Sequence, residues 1–110
     1  MLIQCDYKSG DFFVKNSTIY YRENRVSPVN PMPIWSIGEY ELYMMPAAYP
    51  LKGAWLVVVQ SRFPVFYECN KVEFGSRRVI LYLTNGQKIS VKAYVDGVLD
   101  RFLIEPIHVV

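Results

Sequence analysis

Residues that commonly carry catalysis or bind metal ions are scarce in this sequence. It holds one histidine, His108, and two cysteines, Cys5 and Cys69, without a C-x-x-C pair or a phosphate-binding glycine loop. No local motif would place Cys69 beside His108 as nucleophile and base. Glu39 and Glu41 would share a strand face, where an exposed acidic surface explains them better than a catalytic carboxylate pair. The sequence favours a non-enzymatic protein with no cofactor and no metal.

Long apolar runs are also missing. The longest stretch without a charge, residues 26–38, contains three prolines and is shorter than the roughly 20 apolar residues of a transmembrane helix. The opening MLIQCDYKSGD carries Asp6 and Asp11 where a signal peptide would be apolar. We therefore expect a cytoplasmic protein with no membrane segment, in which the two cysteines are reduced and partly buried.

The composition is that of one small globular domain. A chain of 110 residues has room for a single hydrophobic core. Hydrophobic residues make up 52% of it and charged residues 20%, and the 15% aromatic share includes nine tyrosines. Aromatic side chains pack well on the pleated surface of a sheet. We expect one mostly-β domain over residues 1–110.

Short apolar runs between turn residues predict about seven strands. The strand candidates are residues 5–7, 12–15, 18–23, 34–43, 54–60 and 63–69, followed by a hairpin over residues 77–94. The run 54–60 is apolar up to its last residue, Gln60, as in a strand buried on both faces. Pro64 must lie at an edge or before the paired part of its strand. The pattern predicts a small antiparallel barrel or sandwich.

Two segments depart from the strand pattern. Pro28, Pro31 and Pro33 favour an extended, polyproline-like loop, because each fixes φ and removes a backbone donor. Near the C-terminus, Val98, Leu99, Phe102 and Leu103 have the spacing of one helical face, and Asp96 is suited to cap that helix. We therefore expect one short helix at that end of the chain.

The strongest local signal is Asn85-Gly86, which favours a two-residue type I′ turn. The register that follows opposes Leu83 to Lys88 and Leu81 to Ser90. One face would then belong to the core, and the other would mix leucines with lysines. Such a mixed surface would be covered by the C-terminal helix or by a partner.

Residues 42–53 (LYMMPAAYPLKG) form the second apolar segment of interest, since a loop with this composition must fold onto the domain or contact a partner. Either it fills an open end of the barrel with methionines, or it extends the surface of the hairpin. For the second alternative, the candidate protein-binding residues are Leu81, Leu83, Lys88, Lys92, Met44, Met45 and Tyr49.

Positive charge is concentrated in residues 71–92, which contain five basic side chains and one acidic side chain. Cations neutralise the phosphates of a nucleic acid, and neighbouring tyrosines can stack on its bases. The alternative is that lysines on a surface strand serve solubility and discourage edge pairing. The candidate nucleic-acid-binding residues are Lys71, Arg77, Arg78, Lys88, Lys92 and Tyr94. In the predicted register, Arg77 shares a face with Lys88 and Lys92, and Arg78 points the other way or lies at the strand end.

The run 66–94, followed by an amphipathic segment, resembles the strand pair and helix of LytTR-type DNA-binding domains. The resemblance covers less than half of the chain and lacks the later basic, histidine-bearing strand of that family, so no residue role is inferred from it. The sequence predicts a binding or regulatory module that acts through a protein partner or self-association. The alternative is a small barrel that binds RNA or DNA with its basic hairpin.

Overall fold

The protein is mostly β, as the sequence predicts. The structure is a computed structural model that describes residues 7–9, 11–15, 18–22, 24–26, 31–61, 64–94 and 101–107. The first strands are β1 (Tyr7–Ser9), β2 (Phe12–Lys15), β3 (Thr18–Tyr21), β4 (Asn24–Arg25), β5 (Met32–Ile37) and β6 (Tyr40–Pro46). The others are β7 (Trp55–Gln60), β8 (Val65–Gly75), β9 (Arg78–Leu83), β10 (Lys88–Tyr94) and β11 (Arg101–Ile107). No helix in these residues is long and apolar enough to cross a membrane.

The strands form two antiparallel sheets in which each strand pairs with its neighbour in sequence. Strands β1 to β4 make a small sheet, and β5 to β11 make a seven-stranded sheet in the order β11-β10-β9-β8-β7-β6-β5. Most connections inside each sheet are short turns, which suit antiparallel neighbours. In the described residues, β5 and β11 are the two edge strands and do not pair with each other, so the large sheet is not a closed barrel.

The large sheet is nevertheless strongly curled. Strands β5 and β11 are six positions apart, which would be about 29 Å in a flat sheet. The ring of Trp35 on β5 lies only 5.8 Å from that of Phe102 on β11, and Tyr40 on β6 is 6.1 Å from the same ring. The two ends of the sheet therefore approach each other and enclose an apolar interior.

Strand β7 lies between the two cores of the molecule. Val57 and Val59 point into an inner cluster, which also holds Leu81 and Val91 from the other half of the large sheet. Leu56 and Val58, which alternate with them, belong to a separate outer cluster. Because both faces of β7 are covered, the prediction of a strand buried on both sides is confirmed.

The small sheet covers the outer side of β6, β7 and the start of β8. Phe12 on β2 stacks on Phe66 of β8 at 5.2 Å between ring centroids, and Tyr21 on β3 contacts Phe12 at 4.9 Å. Ile19 and Val26 are buried in the same outer cluster. This half of the large sheet is therefore apolar on both faces, as in a sandwich.

Strand β8 joins the two halves of the large sheet. Its pairing begins after Pro64, as predicted, and its first residues pair with β7 while its last residues pair with β9. The register shifts between Cys69 and Lys71, which marks a β-bulge at Asn70. Cys69 before the bulge and Val72 after it both face the inner cluster. The bulge thus changes which alternate residues point inward.

Residues 26–43 differ from the prediction of an extended loop followed by a single strand. Pro33 lies inside β5, where its missing donor is tolerated because β5 is an edge strand. The run predicted as one strand is a hairpin, with Ile37 opposite Tyr40. Gly38 makes the turn at φ 56°, a conformation that glycine adopts without steric cost. The signal that indicates this turn in the sequence is a glycine inside an apparent strand.

The predicted register of the β9–β10 hairpin is wrong by one residue. Gly86 N–H donates to the Leu83 carbonyl and Leu83 N–H donates to the Gln87 carbonyl, so the loop has three residues. Only Gly86, at φ 90°, has a positive φ there, as in a type I turn with a glycine bulge. Ile89 therefore opposes Leu81. Val79, Leu81, Ile89 and Val91 thus share the inner face.

Two further expectations are corrected. The C-terminal helix is not found, since Phe102 and Leu103 lie in β11, while Asp96, Val98 and Leu99 are outside the described residues. Phe102 and Ile104 alternate onto the inner cluster, as expected in a strand. The first five residues of the segment predicted as a methionine loop, 42–46, lie in β6, whose backbone pairs on both sides, and the rest connects β6 to β7.

The connection between β6 and β7 is held against β8 by one carboxylate. Glu68 accepts backbone hydrogen bonds from the amides of Lys52 and Gly53, each at 2.7 Å. Gly53 also packs so tightly that an added Cβ would lie 2.6 Å from the Cys69 carbonyl oxygen and 2.9 Å from Cγ2 of Thr84. A side chain at position 53 would thus push this connection away from β8 and the hairpin loop.

We expect Gly53→Ala to lower the free energy of unfolding by about 1 to 3 kcal/mol, because the new Cβ meets fixed backbone. Gly75→Ala is the matched control, since its Cβ would meet Cγ of the Arg78 side chain at 3.3 Å, a contact that a flexible side chain can relieve. Urea denaturation measures both variants. Equal stability of the two would contradict the tight contact at Gly53.

Candidate functional site

The end of β8 and strands β9 to β11 form one half of the large sheet. The outer face of this half points away from the inner cluster. Cross-strand pairing aligns Lys71 with Tyr82 and Lys88, and Arg78 with Lys92. We call this surface the basic face and define it by Lys71, Glu73, Arg78, Tyr82, Lys88 and Lys92. The strands, which are packed on the inner cluster behind, hold these side chains in place.

A tyrosine flanked by two lysines lies at one end of the basic face. The ammonium groups of Lys71 and Lys88 are 5.2 and 4.9 Å from the centre of the Tyr82 ring, within the range of cation–π attraction. The Tyr82 hydroxyl donates a 2.5 Å hydrogen bond to Glu73, whose carboxylate also contacts the Lys71 ammonium at 3.4 Å. Four side chains from three strands therefore form one polar network.

The network shifts the protonation of its members. The hydrogen bond from Tyr82 is the largest influence that lowers the pKa of Glu73, with Lys71 and Lys88 acting in the same direction. The same hydrogen bond raises the pKa of Tyr82. Near neutral pH, Glu73 is thus ionised and Tyr82 keeps its proton.

The other end of the basic face has fewer negative partners. Lys92 contacts Glu105 of β11 at 3.1 Å, in a pair whose side chains are both nearly half exposed. In the described part of the chain, neither Arg77 nor Arg78 belongs to an ion pair. Exposed pairs add little stability, and their members remain accessible to other charges.

A shallow cleft of about 410 Å³ opens at this end, beside the turn from β8 to β9. Three of its lining residues are cationic: Arg77, Arg78 and Lys92. Arg77 occupies the turn with φ 56°, and its carbonyl accepts a 2.9 Å hydrogen bond from the Ala93 amide. The turn is therefore fixed to β10, and three basic side chains from two neighbouring segments converge on one concave surface.

The residues predicted to bind a protein partner are not brought together. Leu81 and Met45 are fully buried and Met44 is nearly so, with Met44 and Met45 in different clusters. Leu83 is half-buried against the inner cluster. Tyr49, by contrast, is 87% exposed in the connection between β6 and β7. Of that set, the basic face includes Lys88 and Lys92.

Most of the residues predicted to bind nucleic acid do come together. Lys71, Arg78, Lys88 and Lys92 lie on the basic face, and Arg77 lies in the adjoining turn. The expectation that Arg77, and not Arg78, shares a face with the two lysines is wrong. Its cause is the one-residue error in register, which exchanges the faces of one strand relative to the other.

Sequence reasoning missed two members of the site. It gave no role to Tyr82 or Glu73, yet they form the hydrogen bond at the centre of the basic face. Counting Thr84 as part of the hairpin loop would have placed Tyr82 outside. Of Tyr94, the structure describes the backbone, which is paired in β10, and not the side chain.

The predicted catalytic and metal candidates do not assemble in the described residues. Cys69 is a buried free thiol, while Cys5 and His108 lie outside those residues. Glu39 lies in the turn after β5, and Glu41, on β6, accepts a hydrogen bond from the Tyr43 hydroxyl, so the two do not share a strand. No group of three His, Cys, Asp or Glu side chains in the described ranges is arranged to hold a metal ion.

Comparison with known proteins provides no relative. No protein-family model matches the chain, and neither a curated protein nor a solved structure is significantly similar to it. The partial likeness to LytTR-type domains is thus without support from a family match, and Phe102 and Leu103 of the expected helix lie in a strand. The function must be argued from the chain's own residues.

We expect Cys69 to resist thiol reagents at neutral pH. Burial, with a smaller contribution from the charge of Glu68, raises the pKa of this thiol from 9.0 to about 12, so the reactive thiolate is absent until strongly alkaline pH. Labelling of a Cys5→Ser variant would isolate Cys69. The folded Cys5→Ser protein should stay unlabelled over a period in which the same protein, unfolded in urea, reacts fully. Equal labelling rates in the two states would contradict the burial of Cys69.

Tyr82→Phe should raise the pKa of Glu73 towards its ordinary value, since the variant lacks the hydrogen bond that favours the carboxylate most. An NMR titration of the Glu73 side-chain carboxyl in both proteins measures this shift. Tyr49→Phe is the control, because Tyr49 is exposed and lies on a different connection. An unchanged Glu73 titration in Tyr82→Phe would disprove the proposed role of the phenol.

Proposed function

We propose that this protein is a non-enzymatic module that binds nucleic acid through the basic face and the adjoining cleft. The observation that carries the proposal is the convergence of Arg77, Arg78 and Lys92 on one concave surface. Phosphate groups are held by guanidinium and ammonium groups, and guanidiniums offer paired donors that match phosphate oxygens.

Charge supports this proposal. The basic face and the turn carry five cationic side chains, while Glu73 and Glu105 are the described acids that contact them. A phosphate backbone could replace these exposed carboxylate contacts at little cost, because surface ion pairs are weak. Lys71 and Lys88 beside Tyr82 would extend the contact from the cleft across the sheet.

The position of the cations also supports binding over a role in solubility alone. Four of them come from three adjacent strands, and pairing sets their spacing. Lysines that only discourage edge pairing would be expected on edge strands, whereas β8, β9 and β10 are interior strands of the sheet. Protection of a sheet edge therefore does not account for this arrangement.

A protein partner, or self-association, is the second candidate function. Ile80, Leu103 and Ile107 are half-buried on the same outer face, where Leu103 and Ile107 oppose Lys92 and Lys88. A surface that mixes aliphatic and basic residues suits a complementary acidic protein. Such binding would depend less steeply on salt than the binding of a phosphate backbone.

Fluorescence anisotropy with labelled DNA and RNA oligomers, in single- and double-stranded form, tests the proposal. We expect binding that weakens steeply between about 50 and about 200 mM salt. In the variant Arg77→Gln/Arg78→Gln, affinity should fall and the slope of log K against log salt should decrease by about 1.4 to 1.8, as expected for two lost phosphate contacts.

Lys15→Gln/Lys52→Gln is the matched control, because it also removes two positive charges and both residues are exposed outside the basic face. Affinity and slope should remain close to those of the wild type. An equal loss in both variants would indicate unspecific attraction by net charge. No binding at about 50 mM salt would refute the proposal and leave the protein partner as the candidate.

A further inference from the structure

An exposed aromatic residue is next in sequence to a residue that lines the cationic cleft. In the described residues, three large hydrophobic side chains are exposed: Met32, Tyr49 and Phe74. Met32 is on β5 and Tyr49 precedes β7, and neither lines the cleft or is next in sequence to a residue that does. Phe74, 63% exposed, is next in sequence to Gly75, which lines the cleft.

The exposure of Phe74 has a clear structural origin. Phe74 pairs with Val79 and follows Val72 by two residues, so it points to the inner side of the sheet. Val72 packs against the inner cluster, whereas Phe74 is beyond the end of that packing. The side chain thus projects from the end of the sheet that carries the β8–β9 turn. Phe74 is therefore not present to fill the inner core.

Phe74 and the cations lie on the two sides of the same turn. Arg78 opposes Gly75 across the turn and points to the outer face, while Phe74, one residue earlier, points to the inner face. Arg77 is in the turn itself. A ligand that passes over the end of these strands would thus meet an aromatic ring on one side and paired cations on the other.

From this arrangement we infer that the site takes a single-stranded nucleic acid, one base of which stacks on Phe74 while the neighbouring phosphates contact Arg77, Arg78 and Lys92. The inference rests on the proposed function and names its ligand class. Bases of a single strand can turn their faces to an aromatic side chain, whereas those of a duplex remain stacked on each other. Stacking tolerates any base, so little sequence preference is expected.

Anisotropy measurements with Phe74→Ala test this inference. The probes are a single-stranded oligomer of about 12 nucleotides, an abasic strand of the same length and a duplex of the same length. The wild type should bind the single strand more tightly than the duplex. Phe74→Ala should weaken binding to the single strand roughly tenfold, with no change in salt slope and no change for the abasic strand.

Two control variants separate stacking from other effects. Phe74→Leu keeps an apolar side chain without an aromatic face and should lose affinity as Phe74→Ala does. Tyr49→Ala removes an exposed aromatic ring far along the chain from the cleft and should leave affinity unchanged. The thermal unfolding midpoints of all three should stay near that of the wild type, because the replaced rings are mostly exposed.

The outcomes distinguish the inference from the proposed function. If Arg77→Gln/Arg78→Gln weakens binding while Phe74→Ala leaves it unchanged, the stacking role is refuted and nucleic-acid binding stands. Tighter binding to the duplex than to the single strand would likewise overturn the inference alone. If the wild type binds none of the three probes at about 50 mM salt, both the inference and the proposed function fail.

Discussion

The fold depends on the passage of one long strand, β8, between the two halves of the large sheet. Its first residues pair with β7 and its last with β9, and the bulge between Cys69 and Lys71 changes which side chains point inward. Buried backbone groups must remain hydrogen-bonded, so the sheet bends at a bulge instead of leaving strands unpaired. The inner cluster, with Val57 in one half and Leu81 in the other, requires that bend.

The same bend makes the two outer faces different. Around β6 and β7 the outer face is apolar and is covered by the small sheet, where Phe12 stacks on Phe66. The outer face of β9 and β10 carries Arg78, Lys88 and Lys92, with the inner cluster behind it. Its cations therefore sit on paired strands with a packed core beneath them. A basic surface on such a support loses little conformational freedom when it binds a ligand.

Local patterns predicted several elements because short-range physics decides them. β2 matches its predicted bounds, and β7 was recognised as buried on both faces from its uninterrupted apolar run. Phe102 and Leu103, predicted in a helix, lie in β11, because an apolar pattern over six residues is too short to distinguish a helix from a strand. The composition of residues 42–53 predicts a loop around Met44 and Met45, but these residues pair in β6, and Pro46 ends that strand without breaking its pairing.

The sequence by itself determined that the chain is mostly β and that its positive charge lies in residues 71–92, because composition and charge do not depend on how strands pair. Only the tertiary structure decided which residues share the basic face. Side chains alternate with a period of two, so including Thr84 in the hairpin loop moved Leu81 into the core and Tyr82 to the surface. The positions of Phe74 and the cationic cleft likewise followed from where β8 and β9 end, which no local pattern specifies.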